Sequence, residues 1–203
     1  MSQRSIKDVE SFWNSNPLFV GESEFDPGSQ EYFVKHTQVY VDDCFAGRFD
    51  SAVIPYSLIG KHVLDLGCGP GFWIEQIAKH FPRTIVGADL TDNALELSKK
   101  RSEMLGITNV TFAKANAEDL CFENATFDHV NCQGVIHHTP DTERAFKEIS
   151  RVLKPGGSFS VSVYYKNIFL RSWPVLKYAG KLLNKFGGGL RVEVGKIFTV
   201  KIM

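Results

Sequence analysis

The segment VLDLGCGPGFW, Val63 to Trp73, decides the fold. His62 to Leu66 reads as a short buried strand, and the cluster Gly67-Cys68-Gly69-Pro70-Gly71 ends it in a tight turn. From Phe72 the period changes. Phe72, Ile74, Ile77, Ala78 and Phe81 fall at helical spacing, which predicts a helix over 72–81. A strand, a glycine turn and a helix in direct succession open a βαβ unit.

The same alternation continues downstream. Thr84 to Asp89 reads as a second strand, and Thr91 as the N-cap of a helix reaching Leu105. Val110 to Ala113 is a third strand and Phe127 to Asn131 a fourth. Thr139-Pro140-Asp141 opens a helix to Leu153 with proline in its first turn. After the turn Pro155-Gly156-Gly157, Ser158 to Tyr164 alternates as a fifth strand. Right-handed crossovers then give a doubly wound α/β fold with a mostly parallel sheet. Upstream, short helices are expected over Ser5 to Trp13 and Ser29 to Phe45. The division expected is a helical lid segment over 1–58 and an α/β core over 59–164. Residues 165–203 are left for a basic amphipathic helix and one or two short strands, so that the antiparallel end of the sheet is reduced or truncated.

Composition narrows the function. The chain has 203 residues, 43% hydrophobic and 23% charged, which suits one globular domain with a modest appendage. Its 23 basic and 23 acidic side chains cancel, which argues against a general nucleic-acid binder. The cancellation is uneven: residues 1–163 hold 15 Lys/Arg against 22 Asp/Glu, and residues 164–203 hold 8 against Glu193 alone. Cys44, Cys68, Cys121 and Cys132 show neither CxxC nor zinc-ligand spacing, so no metal site is expected and the thiols read as reduced. The start of the chain is polar, and no run of about 18 apolar residues occurs. The expectation is a cytoplasmic protein.

The glycine loop speaks to the ligand. At the carboxyl end of the first strand of such a sheet, chain order reverses and ligands bind. The loop is GxGxG rather than GxGxxG, with Phe72 where a dinucleotide fingerprint needs its third glycine, and it lacks the Gly-Lys-Ser/Thr of a phosphate loop. Asp89 ends the second strand, where a carboxylate can accept both hydroxyls of a ribose. Loop and carboxylate together point to an adenosine without a pyrophosphate.

Five segments in register carry a resemblance. VLDLGCGPG, GADLT (Gly87 to Thr91), ANAEDLCF (Ala115 to Phe122), FDHVNCQGVIHHTPD (Phe127 to Asp141) and LKPGG (Leu153 to Gly157) resemble, in order, the motifs of the class I S-adenosylmethionine-dependent methyltransferases of the small-molecule group. The resemblance implies S-adenosylmethionine as cofactor and methyl transfer to a small organic acceptor. It implies that Asp65, Gly67, Cys68 and Gly69 surround the methionine end, that Asp89 holds the ribose and that Leu90 packs on the adenine. Asn116 stands where the family has an aspartate that accepts from the adenine amine, Ala117 offers a backbone N–H to that ring, and Gln133 lies near the methionine part. For Asp65 and Glu118, direct contact and loop hydrogen bonding are both open. His137 and His138, after the fourth strand, are candidates for a base, and none is assigned.

The flanks bear on the acceptor. The aromatics of Phe12 to Pro17, with Tyr32, Phe33 and Tyr40, either wall a substrate site or pack a helix on the sheet edge; if they form a lid, removal of residues 1–45 is expected to leave a foldable core that cannot methylate. Between Ile168 and Phe186, Lys177, Lys181 and Lys185 form a basic stripe opposite apolar residues, suited to covering the sheet or to weak contact with an anionic membrane surface. Nucleic acid is not expected as a partner, because the stretch after the fourth strand, Gln133-Gly134-Val135-Ile136, lacks the family's NPPY/DPPY motif. Two rivals stand beside the enzyme reading: a nucleotide-cofactor oxidoreductase, opposed by Phe72, and a non-catalytic or truncated adenosyl-ligand-binding paralogue.

Overall fold

The computed structural model describes residues 5–16, 23–50, 53–55 and 57–163, with the backbone of 198–202. Helices α1 (Ile6–Ser15) and α2 (Gln30–Phe45) come first, then β1 (His62–Leu66), α3 (Phe72–Ala78), β2 (Thr84–Asp89), α4 (Asp92–Met104) and β3 (Val110–Lys114). There follow β4 (Phe127–Gln133), a 3-10 turn (Ile136–His138), α5 (Thr142–Val152), β5 (Leu153–Val163) and β6 (Phe198–Ile202). The sheet order is β3-β2-β1-β4-β5-β6, with β6 antiparallel to β5 and the other pairs parallel. The chain reverses direction across the sheet between β1 and β4, which opens a crevice beyond their carboxyl ends.

Burial on both faces explains the unbroken apolar run of β1. Val63 joins Phe72, Trp73, Ile74 and Ile77 of α3 on one face. Leu64 and Leu66 point the other way, against Ala145, Ile149 and Val152 of α5. Helix α2 belongs to the first of these cores. Its Tyr40 is buried there, and the Tyr40 hydroxyl accepts a 2.8 Å hydrogen bond from Trp73 Nε1. Arg101 of α4, 2% exposed, donates to Glu75 Oε2 from Nη2 at 2.6 Å and from Nε at 3.1 Å, and to Thr37 Oγ1 of α2 at 2.7 Å. Its guanidinium also lies 5.5 Å from the Phe33 ring centroid. Helix α2 therefore cannot be removed without uncovering the core, against the expectation that removal of residues 1–45 leaves a foldable core.

Local boundaries depart from the sequence reading for identifiable reasons. Helix α3 stops at Ala78, and Phe81 turns left-handed at φ +53° directly before Pro82, which disfavours a helical residue ahead of it. Helix α5 starts at Thr142 because Asp141, not Thr139, caps it: the Asp141 carboxylate accepts from the Arg144 amide at 2.9 Å, and Pro140 precedes the cap. Strand β5 starts at Leu153. It pairs Leu153 with Phe127 and then Ser158 with His129, so Pro155-Gly156-Gly157 form a bulge within the strand rather than a turn before it. The basic stretch Ile168 to Phe186, with Pro17 and Tyr164, lies outside the described residues. No described helix is long and apolar enough to cross a membrane.

Candidate active site

A cleft, partly open to solvent, lies beyond the carboxyl ends of β1, β2 and β4. The loop after β1 forms one wall. Gly67 has φ +73°, and a Cβ there would stand 2.2 Å from Val135 Cγ2, so only glycine lets β1 turn beneath the segment after β4. Gly69 has φ +50°, and a Cβ there would meet nothing within 4 Å. Gly69 thus borders open space inside the cleft.

Asp89 organises the neighbouring wall. Its Oδ2 accepts from the Gly69 amide at 3.0 Å, and its Oδ1 accepts from the Thr91 amide at 3.0 Å and the Thr91 hydroxyl at 2.9 Å. Thr91 thus precedes α4 but spends its hydroxyl on Asp89 instead of capping the helix. Burial raises the Asp89 carboxyl above its usual range, while these donors pull it back. The carboxylate oxygens, each with two lone pairs, retain capacity for a ligand donor.

The residues expected from sequence are distributed as follows. Gly67, Gly69, Asp89, Leu90, Asn116, Ala117 and Gln133 all line the cleft. Asp65 and Cys68 do not. Asp65 is buried under the loop, where its Oδ1 accepts from Asn131 Nδ2 at 2.7 Å, and burial pushes its carboxyl up to about 7. Cys68 packs into the α3-side core. The Asn116 Oδ1 already accepts from the Glu118 amide at 3.0 Å, and Glu118 itself receives the Asp141 amide at 2.7 Å, so both serve their loops. Of the two histidines, His138 lines the cleft and His137 does not. Burial, with His138 beside it, lowers His137 to about 4.

Helix α1 roofs the cleft with Ile6, Val9 and Trp13, and the Trp13 ring meets His138 edge-on at 5.2 Å between centroids. Lys114 ties this helix to the sheet through a 2.8 Å ion pair with Glu10 and also reaches Asp92 at 2.7 Å. Phe12, by contrast, is exposed, and Tyr32, Phe33 and Tyr40 are buried away from the cleft, so Trp13 alone of these aromatics walls it. Phe72 is likewise turned into the core, 4.4 Å from the Tyr40 ring centroid, and does not obstruct the cleft. Sequence reasoning missed Thr91 and Asn131. The signal for Asn131 was present: a polar residue amid the buried strand FDHVNCQ.

A family model described as a methyltransferase domain matches residues 64–161. The chain is 32% identical over 111 residues to a ubiquinone biosynthesis O-methyltransferase of Coxiella burnetii, covering 55% of this chain and 47% of that protein. It is 34% identical over 138 residues to a demethylmenaquinone methyltransferase of Lactococcus lactis, covering 63% and 55%. The chain therefore spans about half the length of the curated relatives it matches. A crystal structure of an S-adenosylmethionine-dependent methyltransferase from Mesorhizobium loti superposes with a TM-score of 0.51 at 26% identity, covering 56% of this chain and 51% of that one. Sheet order, glycine loop and the comparisons agree: over residues 64–161 the chain carries a methyltransferase domain of the class I S-adenosylmethionine-dependent family.

Proposed function

We propose that the protein is a cytoplasmic enzyme that transfers a methyl group from S-adenosylmethionine to a small organic acceptor, and that the cleft holds both. The observation that carries this reading is the Asp89 carboxylate at the cleft wall, tied to the Gly69 amide and beside the open space over that glycine. A mostly apolar cleft with one carboxylate and a glycine turn suits an adenosyl ligand.

In this reading Asp89 accepts the ribose hydroxyls through its remaining lone pairs. Leu90 packs against the adenine, whose edge meets Asn116 and the Ala117 amide. Gly67, Gly69 and Gln133 receive the methionine end, and Asp65 and Cys68 support that loop from below. When bound, S-adenosylmethionine supplies an electrophilic methyl group for in-line displacement. The chain's part is then alignment and exclusion of water. Ile6, Val9 and Trp13 of α1 do the excluding, as a roof over a core to which α2 belongs. His138 is placed to take a proton from an acidic acceptor. The apolar roof favours an apolar or aromatic acceptor, in keeping with the quinone-related names of the relatives. Contact of the basic stretch 168–186 with an anionic membrane surface suits delivery of such a molecule.

Calorimetric titration with S-adenosylmethionine tests the reading. Saturable binding, abolished in Asp89→Ala and absent for NADH, is the expected result. A folded sample that ignores S-adenosylmethionine overturns it.

A further inference from the structure

A buried polar chain runs from the cleft wall into the sheet. Gln133 Nε2 donates to Asn131 Oδ1 at 2.9 Å and to the Ser160 carbonyl at 3.2 Å. Asn131, fully buried at the centre of the sheet, donates from Nδ2 to Asp65 Oδ1 at 2.7 Å. Asp65 sits on β1, Asn131 and Gln133 on β4 and Ser160 on β5, and the register of β1 and β4 places Asn131 directly beside Asp65.

The hydrogen bonds admit one direction. The Ser160 carbonyl can only accept, so Gln133 turns Nε2 toward it and toward Asn131 Oδ1. Asn131 turns its NH2 to Asp65 Oδ1, which accepts as a carboxylate or with its proton on Oδ2. Asn131 Oδ1 then faces Gln133 and requires a donor, which Nε2 supplies. With Nε2 committed to Asn131 and Ser160, the Gln133 carbonyl oxygen is left for the cleft, where no described residue donates to it. Turning either amide over would oppose two acceptors or two donors in a buried site.

We propose that Asn131 is a positioning residue that fixes the Gln133 amide with its oxygen toward the cleft, so that this wall selects a cationic or hydrogen-bond-donating group on the ligand. The inference rests on the reading that the cleft takes an adenosyl ligand, whose amino-acid end carries such a group, an ammonium. Asn131 itself touches no ligand. It acts through Gln133.

Two ligands separate this role from simple packing. S-adenosylhomocysteine carries the amino-acid end, and 5′-methylthioadenosine lacks it. By calorimetry, Asn131→Leu is expected to weaken S-adenosylhomocysteine about tenfold and to leave 5′-methylthioadenosine within about twofold. In a Gln133→Leu background, Asn131→Leu is expected to cost nothing further for S-adenosylhomocysteine, because the lesion is already made. Equal loss for both ligands, additive losses in the double variant, or unchanged binding of S-adenosylhomocysteine would each overturn the proposal. Asn131→Ala supplies the same comparison if the leucine variant does not fold. A folded wild-type chain that binds neither ligand removes the cofactor reading itself, whereas equal losses in the variant remove only this inference.

Discussion

The Gly69 amide donates to Asp89 Oδ2 over 3.0 Å, so the carboxylate that ends β2 also holds the glycine loop that follows β1. One side chain thereby shapes the cleft and offers it an acceptor. Asp89→Asn keeps the size but sets an NH2 group against the donors of Gly69 or Thr91. Affinity for S-adenosylmethionine is expected to fall roughly 100-fold, as for loss of a charge-assisted hydrogen-bond pair. Titration calorimetry on the variant checks it, with far-ultraviolet circular dichroism confirming the fold.

The two loop glycines should fail in different ways. Gly67→Ala drives a methyl group into Val135 at a positive φ, and a loss of about 3 kcal/mol is expected from overpacking and backbone strain together. Gly69→Ala meets no neighbour and carries only the strain, about 1 kcal/mol. Its methyl group enters the cleft instead, so S-adenosylmethionine binding should suffer more than stability. Urea unfolding and calorimetry on the same pair of variants separate the outcomes.

Arg101→Met breaks the ion pair with Glu75 and leaves that carboxylate only Lys79, at 3.1 Å; the Arg101 guanidinium, helped by Lys79, holds the carboxyl low against its burial. A loss of about 3 kcal/mol is expected, and Arg101→Met with Glu75→Met should recover much of it. If the single and double variants unfold at the same urea concentration, the charge left on Glu75 is not the source of the loss.

Burial, reinforced by Arg101, lowers His36 to about 3, from an ordinary value of 6.5. The unfolded chain takes up this proton first, so the neutral imidazole supports folding above pH 6.5 and the support is lost as pH falls toward 3. Between pH 7 and pH 5 the expected loss from this group is about 2 kcal/mol. His36→Gln should flatten the stability profile in that interval, and an unchanged slope in urea unfolding would count against the assignment.

Trp13 stands over the cleft on a helix that contributes a single buried residue, Val9. Trp13→Ala is expected to speed dissociation of S-adenosylhomocysteine several-fold while leaving thermal stability nearly unchanged. Stopped-flow fluorescence or surface plasmon resonance reads the first, and calorimetry the second.

The fold was legible because its signals are local. A short apolar run, three glycines within five residues and a change to helical spacing mark a strand, a turn and a helix without reference to the rest of the chain. Asp89 was legible too, since it ends a strand adjoining that turn. What escaped depends on partners distant in sequence. Thr91 looks like a cap until Asp89 is seen to take its hydroxyl, and Phe72 looks like an obstacle until Tyr40 is seen to receive its ring. Asp65 carries a motif's acidic position, yet it accepts its hydrogen bond from Asn131, 66 residues away. The aromatic cluster of residues 32–40 reads equally well as pocket or core, and only the packing against Trp73 decides for core.

The roof and the floor of the cleft have separate foundations. The floor is built from strand ends whose side chains also serve two buried cores, so a change there disturbs folding. The roof is one short helix, self-capped by the reciprocal hydrogen bonds of Ser5 and Asp8 and fastened at its far side by Glu10 and Lys114. Selection can therefore redraw the three roofing side chains at little cost to the molecule as a whole. On the proposed function, new acceptors become reachable by drift in ten residues, while the wall assigned to the methyl donor stays intact.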